Sequence, residues 1–227
     1  MSQILSLKPR VTRNEAVERL ERRGVFGWTS RALRGPLRSV AEVYIPFHLY
    51  KVEIVNGARR KTCLLGLEAV TGSLDLFWFD RLPGPEDTFC LETRNHPKPR
   101  LAERDAHERL RDKVRGMVFQ SGFFRIRGLR IQVRPIPMEV HVPYWVGFFG
   151  RRQRASMAVL DAVRNRFEGA KARLLIHQWL AHHFPADDPP TPAYHLGPDG
   201  PGAGVLEGGT GGGSGSLSVT PLPSTMV

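Results

Sequence analysis

Val43-Tyr44-Ile45-Pro46-Phe47-His48 returns 97 positions later as Val140-His141-Val142-Pro143-Tyr144-Trp145. Both stretches place apolar side chains at every second position, the period of a β-strand, and both carry a proline at the same step. Downstream, Leu67-Glu68-Ala69-Val70-Thr71-Gly72-Ser73-Leu74-Asp75 matches Leu160-Asp161-Ala162-Val163-Arg164-Asn165-Arg166-Phe167-Glu168, now 93 positions apart. The difference falls in the hairpin between them, where loops absorb length changes. Upstream of each strand lies a helix-patterned segment with Glu-Arg-Leu, at 18–20 and 108–110. The repeat predicts an α+β fold of two pseudo-symmetric helix-plus-antiparallel-meander modules. Residues 43–49 with 67–75 then superpose on 140–146 with 160–168.

The shared residue types carry physical expectations. A proline removes one ladder donor, so Pro46 and Pro143 are expected at an edge or a bulge. Gly72 and Asn165 occupy the matched turn position and are the residue types that best tolerate positive φ. Glu68 and Asp161 stand just before that turn, where a carboxylate can accept hydrogen bonds from turn N–H groups.

Working outward, residues 1–11 read as a loose lead-in, and Thr12-Arg13-Asn14-Glu15 as a capping box opening a helix to about Arg23. Its apolar face is Ala16, Val17 and Leu20. After an indistinct stretch, strand alternation runs from Val43 to Ile54, and Asn56-Gly57 is a preferred hairpin dipeptide. Residues 60–69 return, Thr71-Gly72 turns again, and Leu74–Phe79 supplies a third strand; the first module therefore spans 12–80. Residues 81–100, with Pro83, Pro85, Pro97 and Pro99, read as a linker loop. In the second module, 101–183, a helix covers about Leu101–Phe119 with Ala106, Leu110, Val114 and Met117/Val118 on its stripe. A strand holding Phe124, Ile126, Leu129, Ile131 and Val133 flips parity at Gly128, which predicts a bulge there. Met138–Phe148 alternates as the next strand, 154–163 returns, and Lys171–His183 is helical, with Leu174, Leu175, Gln178/Trp179 and Leu180 on one face.

A strand with Pro-Phe/Tyr-Trp, a hairpin, and then (Asp/Glu)-Ala-Val-Thr-Gly resembles modules of uncharacterised bacterial proteins. Its ending is similar to that of PepSY-type modules, small α+β units of secreted and membrane-associated proteins. The resemblance covers about residues 43–80 and 140–169. His48 stands where the pattern has Trp, and Arg164-Asn165 replaces Thr-Gly in the second copy. It implies an α+β fold and no activity.

The chain has 227 residues and a formal charge of +11. Residues 184–227 hold no Lys or Arg but four acids (Asp187, Asp188, Asp199, Glu207), so setting these aside leaves +15 on residues 1–183. A field of that sign favours acidic partners. Of the 33 basic residues 27 are Arg, a skew that a GC-rich genome also produces without selection for binding. Cys63 and Cys90 are too few for a zinc array or a disulfide framework. The N-terminus lacks the apolar segment of a signal peptide and no apolar run reaches membrane-spanning length, so the cytoplasm is the expected compartment.

No spacing of residues identifies a reaction. Glu68 and Asp161 would make a symmetric carboxylate pair, but no His or Lys recurs beside both, which favours turn capping. His177, His182 and His183 lie five and six apart, whereas helical metal ligands stand three or four apart. Gly-x-Ser-x-Gly, Walker and strand-linked Gly-x-Gly-x-x-Gly patterns are absent, so no cofactor, metal or catalytic residue is predicted. Two binding surfaces are. Arg125, Arg127, Arg130 and Arg134 alternate with apolar residues, as on a solvent-facing strand suited to nucleic acid or an acidic partner, or simply one kept soluble. Trp145, Phe148 and Phe149 beside Gly147 and Gly150 are candidates for a protein-contact patch. The expected function is a non-catalytic protein-binding or scaffolding module, with non-specific single-stranded nucleic-acid association as the alternative and an enzyme third.

The Gly- and Pro-rich residues 184–227 have too little apolar content to fold alone and are expected to be disordered. Deleting residues 186–227 is therefore expected to leave the melting temperature within about 2 °C of the full chain in differential scanning calorimetry.

Overall fold

The two proline-bearing stretches pair with each other. The computed structural model describes residues 2–22, 35–120, 128–151 and 154–183. In chain order its elements are β1 (Ser2–Leu7), α1 (Arg13–Arg22), β2 (Leu37–Asn56), β3 (Arg59–Glu68), β4 (Phe77–Phe79), β5 (Thr88–Thr93), α2 (Glu103–Gln120), β6 (Arg130–Arg151), β7 (Arg154–Asp161), β8 (Arg166–Phe167) and α3 (Ala170–His183). The mixed α+β architecture is thus as expected. β2 and β6 run antiparallel, with Val43 opposite Tyr144, Ile45 opposite Val142 and Phe47 opposite Val140. The sheet order is β4-β3-β2-β6-β1-β5, with β7 also on β6 and β8 on β7.

Both prolines therefore lie in central strands, not at an edge. Alternation explains how. Tyr44 N–H donates to the Asn95 carbonyl at 2.9 Å, and the Pro46 carbonyl accepts from Ala69 N–H at 2.9 Å. Backbone groups two residues apart point the same way, so the N–H that Pro46 lacks would face away from β6. It falls where the neighbour changes from β3, which pairs only as far as Phe47, to residue 95. At Pro143 the carbonyl likewise accepts from Ala162 N–H at 3.0 Å. Proline sits where the ladder has a gap.

Each face of the β2–β6 pair has its own cover. Val43, Ile45, Phe47 and Leu49 share one face with Val140, Val142, Tyr144 and Val146, packed with Ala172, Leu175, Ile176 and Trp179 of α3. On the opposite face Ala106, Leu110 and Val114 of α2 pack with Tyr50, Val52, Leu65 and Leu67. There too Ala16 of α1 packs with Trp145 and Leu160, and Leu20 with Phe149 and Ala158. Each fully buried Leu, Ile or Phe contributes about 1.5–3 kcal/mol through its removal from water.

Several sequence expectations are corrected. Residues 1–11 are not a loose lead-in and 81–100 not only a linker, because β1 and β5 pair along their whole length from Ser2–Thr93 to Leu7–Thr88. Each is six residues long with its partner more than eighty residues away, so neither pattern stands out locally. Gly128, at φ 82°, precedes β6 and is no bulge within it; Phe124 and Ile126 lie outside the described residues. The register shift falls instead between His48–Glu139 and Leu49–Ile136, leaving Pro137 and Met138 extra on β6. The first hairpin turns on Gly57-Ala58, with Asn56 still paired to Arg59 and Gly57 at φ 61° supplying the left-handed position. In α3, Leu174 points outward at 59% exposure, while Ala172 and Ile176 take the inner face.

The matched turns hold two buried carboxylates. Glu68 accepts from Val70 N–H, from Thr71 N–H and Oγ1 at 2.7 Å each, and from Ser73 N–H at 3.1 Å. Asp161 accepts from Val163 N–H at 2.9 Å, Arg164 N–H at 2.7 Å and Arg164 Nε at 2.6 Å. Both side chains have no solvent exposure, and the turns that enclose them place Gly72 at φ 65° and Asn165 at φ 55°. Charge-assisted bonds to turn amides make these carboxylates structural. Glu68→Gln and Asp161→Asn are each expected to lower the unfolding free energy by about 2–3 kcal/mol in urea denaturation. The exposed Glu18→Gln should stay within about 0.5 kcal/mol of the parent.

Candidate functional site: a basic sheet face and two Lys-Pro-Arg clefts

Alternation at the start of β6 turns Ile131 and Val133 toward α2 and leaves Arg130, Gln132 and Arg134 exposed on the other face. Across the register, Arg134 stands opposite Lys51 and Arg130 opposite Val55, which itself stands opposite Arg60 on β3. Lys51 and Arg60 are also exposed. Four cations thus share one open face of three strands: Lys51 and Arg134 are neighbours about 5 Å apart across adjacent strands, while Arg130 lies about 13 Å along β6 from Arg134 and about 10 Å, two strands, from Arg60. Glu53 is the acid among them, 2.8 Å from Arg60 Nε. Lys51 and Arg60 carry no signal in the sequence, because only cross-strand register brings them beside the arginines. Arg125 and Arg127 lie outside the described residues.

The aromatic candidates are elsewhere. Trp145 is 7% exposed and its Nε1 donates to the Val11 carbonyl at 2.9 Å. Phe149 is buried against Leu20, and Phe148 is half-buried against the main core. Strand alternation puts Trp145 and Phe149 on the face that α1 covers, so these three do not form an exposed patch. Phe79 opposes Leu64, but it lies 4.8 Å from the Phe77 ring and packs into the core. Trp78, 46% exposed, pairs with Leu65 on the other face of the sheet, where Lys61 lies over its ring and a cleft joins it to Arg59 and Arg60 at the border of the basic face.

A second cluster surrounds His141. His48 faces Glu139 across the strands with Nδ1 4.0 Å from its carboxylate, and His141 Nε2 lies 3.9 Å from the same group. The His96 ring sits edge-on to His141 at 5.5 Å. Both His141 nitrogens are buried without a hydrogen-bond partner. Burial above all, then the neighbouring His96, pushes its pKa down to about 4, with the Leu5 backbone offsetting part of the shift. Among the described residues no three His, Cys, Asp or Glu side chains are placed to hold a metal. Cys63 and Cys90 are both free.

Two clefts share a motif that strand and helix periodicity does not single out: Lys8-Pro9-Arg10 and Lys98-Pro99-Arg100, ninety residues apart. The N–H groups of Arg10 and Val11 both donate to the Ala162 carbonyl, at 2.8 and 3.0 Å. Those of Arg100 and Leu101 both donate to the Ala69 carbonyl, at 2.9 Å. Each tripeptide therefore docks on an Ala-Val turn whose carboxylate is buried. The first cleft, about 380 Å³, is lined by Lys8, Arg10 and Arg81 together with Asp80, Glu86 and Asp87. The second, about 290 Å³, is lined by Lys98, Arg100, Gln178, His182 and His183, with Trp179 as an apolar wall.

No protein-family model matches the chain, and neither a curated protein nor a solved structure matches it. No described helix is long and apolar enough to cross a membrane.

His141 sets a pH dependence. The ring titrates near 6.5 when unconstrained and near 4 here, so between those values the unfolded chain binds more protons. The contribution to stability is full above about pH 6.5 and is lost as the pH falls toward 4. Urea denaturation between pH 7 and 4 should show the parent losing about 3 kcal/mol more than His141→Gln.

Proposed function

We propose that this chain is a non-catalytic binding module, built from an internal duplication, whose basic sheet face docks an acidic segment of a protein partner. The observation that carries the reading is the exposure of Lys51, Arg60, Arg130 and Arg134 on one face of three strands, with Glu53 the carboxylate among these described residues. An extended peptide repeats its side chains at the same two-residue step as Arg130, Gln132 and Arg134, so acids four positions apart can meet the two arginines. Carboxylates available for proton transfer are not offered by Glu68 and Asp161, whose oxygens are taken up by their own turns.

The duplication is supported by the registers. A two-fold axis through the Ile45–Val142 pair exchanges Val43–Tyr144 with Phe47–Val140, in keeping with the 97-residue shift. The same exchange relates Pro46–Ala69 to Pro143–Ala162 and Arg100–Ala69 to Arg10–Ala162.

Nucleic acid is the second reading, favoured by the +11 charge. Stacking supplies about 1–3 kcal/mol per base in single-strand binders, and the exposed ring that shares a cleft with Arg60, Trp78, lies on the other face of the sheet with Lys61 over it, away from Lys51, Arg130 and Arg134. The test compares a poly-glutamate peptide with a single-stranded oligonucleotide, on the parent chain and on Lys51→Gln/Arg130→Gln/Arg134→Gln. The side chains are exposed, so the fold should be retained. The expected result is peptide binding weakened roughly tenfold to a hundredfold in the triple variant. Preference for the oligonucleotide, with log affinity falling at about −0.7 per phosphate contacted against log salt, would establish the second reading. Equal binding by parent and variant would overturn both.

A further inference from the structure

We propose that the cleft between Lys98-Pro99-Arg100 and the last two turns of α3 binds a small phosphate-bearing molecule. The two clefts are alike on one side. Leu7, Lys8, Arg10 and Val163 line one; Pro97, Lys98, Arg100 and Val70 line the other, each held by the paired backbone bonds to Ala162 or Ala69. What differs is the remaining wall. In the first cleft the chain supplies its own anions: Glu86 pairs with Arg81, and Asp87 lies 3.0 Å from the same guanidinium. Lys8 contributes to holding the Glu86 carboxyl below the usual carboxylate range, after the dominant effect of Arg81, so that acid sits within electrostatic reach of the lysine. Three acids there balance three cations.

In the second cleft α3 replaces the acidic loop, and no Asp or Glu is among the described lining residues. Lys98 and Arg100 are exposed at its rim, with His182 and His183 across from them. The carboxylate of the turn beneath, Glu68, is buried and bonded to its own amides. Cations with no carboxylate among the described lining residues, converging on a concave site with a polar Gln178 and Thr71, fit an oxyanion carried by the ligand. A volume of about 290 Å³ admits a phosphate with a small organic group and no macromolecular segment. Trp179, 7% exposed, gives that group an apolar wall. Phosphate is favoured over a carboxylate because its dianion and three terminal oxygens can engage Lys98, Arg100 and an imidazole together.

The duplication serves only to compare the clefts; the site stands on its own lining. The test is a titration of the full chain with inorganic phosphate and with phenyl phosphate, monitored by ¹H–¹⁵N spectra. Saturable shifts are expected at Lys98, Arg100 and Gln178–His183, tighter for phenyl phosphate. Lys98→Gln and Arg100→Gln should each weaken binding roughly tenfold, and Lys8→Gln should leave it unchanged. No saturable shift at about 10 mM phosphate, or equal weakening by Lys8→Gln, would overturn the site. In Glu86→Gln, which frees Lys8 of its acid, a second set of shifts is expected at Lys8 and Arg10. Binding at Lys98 without that second set would overturn the equivalence of the two clefts while leaving the site in place.

Discussion

The pairing of β2 with β6 is the constraint on which the rest of this protein depends. It places the two longest strands side by side at the middle of the sheet, and every cluster of buried residues includes a side chain from one of them. Because side chains alternate, the single register that puts Val43, Ile45 and Phe47 beside Val140, Val142 and Tyr144 also decides the opposite face. A slip of one residue would turn the apolar rows of β6 to the wrong side. The two extra residues, Pro137 and Met138, let the strands stay paired on both sides of an irregularity. They also align Arg134 with Lys51, so the basic face inherits its geometry from a packing requirement at the other end of the strand.

The local anchors are the two buried carboxylates. Burying an ionised group is costly unless its lone pairs are filled, and here turn amides from three or fewer residues away fill most of them. That arrangement pins each Ala-Val turn, and the pinned alanine carbonyl then receives two N–H groups from a Lys-Pro-Arg segment. Proline within the tripeptide has no N–H to satisfy, which leaves the neighbouring arginine and the residue after it as the donors. The same scaffold thus presents lysine and arginine twice. The element that walls each cleft differs: an acidic loop after β4 in one place, and α3 in the other. Acids of the chain stand against the cations at the first cleft, and none is among the described residues that line the second.

His141 shows what the pairing costs. Its position opposite Pro46 brings the ring beside His96 and Glu139, buried and with neither nitrogen within hydrogen-bond distance of a partner. A neutral imidazole tolerates this better than an imidazolium, which is why burial depresses its proton affinity.

Much was legible in the sequence because it is written in local patterns. The period-two alternation of β2 and β6, the capping box at Thr12, the stripe Ala106-Leu110-Val114-Val118 and the turn residues Gly72 and Asn165 each depend on neighbours a few positions away. The outward arginines of β6 followed from the same alternation. The sequence also held the second Lys-Pro-Arg, a signal as plain as the strand repeat but hidden by proline-rich surroundings that read as a linker. Tertiary structure alone decided the rest. β1 and β5 exist as strands through each other, Lys51 and Arg60 join the basic face through hydrogen-bonded register, and Trp145 and Phe149 are withdrawn from the surface by a helix over a hundred residues away. Local pattern reports which way a side chain points from its own backbone; what it meets there is set by contacts between distant segments, whose choice rests on packing the whole apolar surface at once.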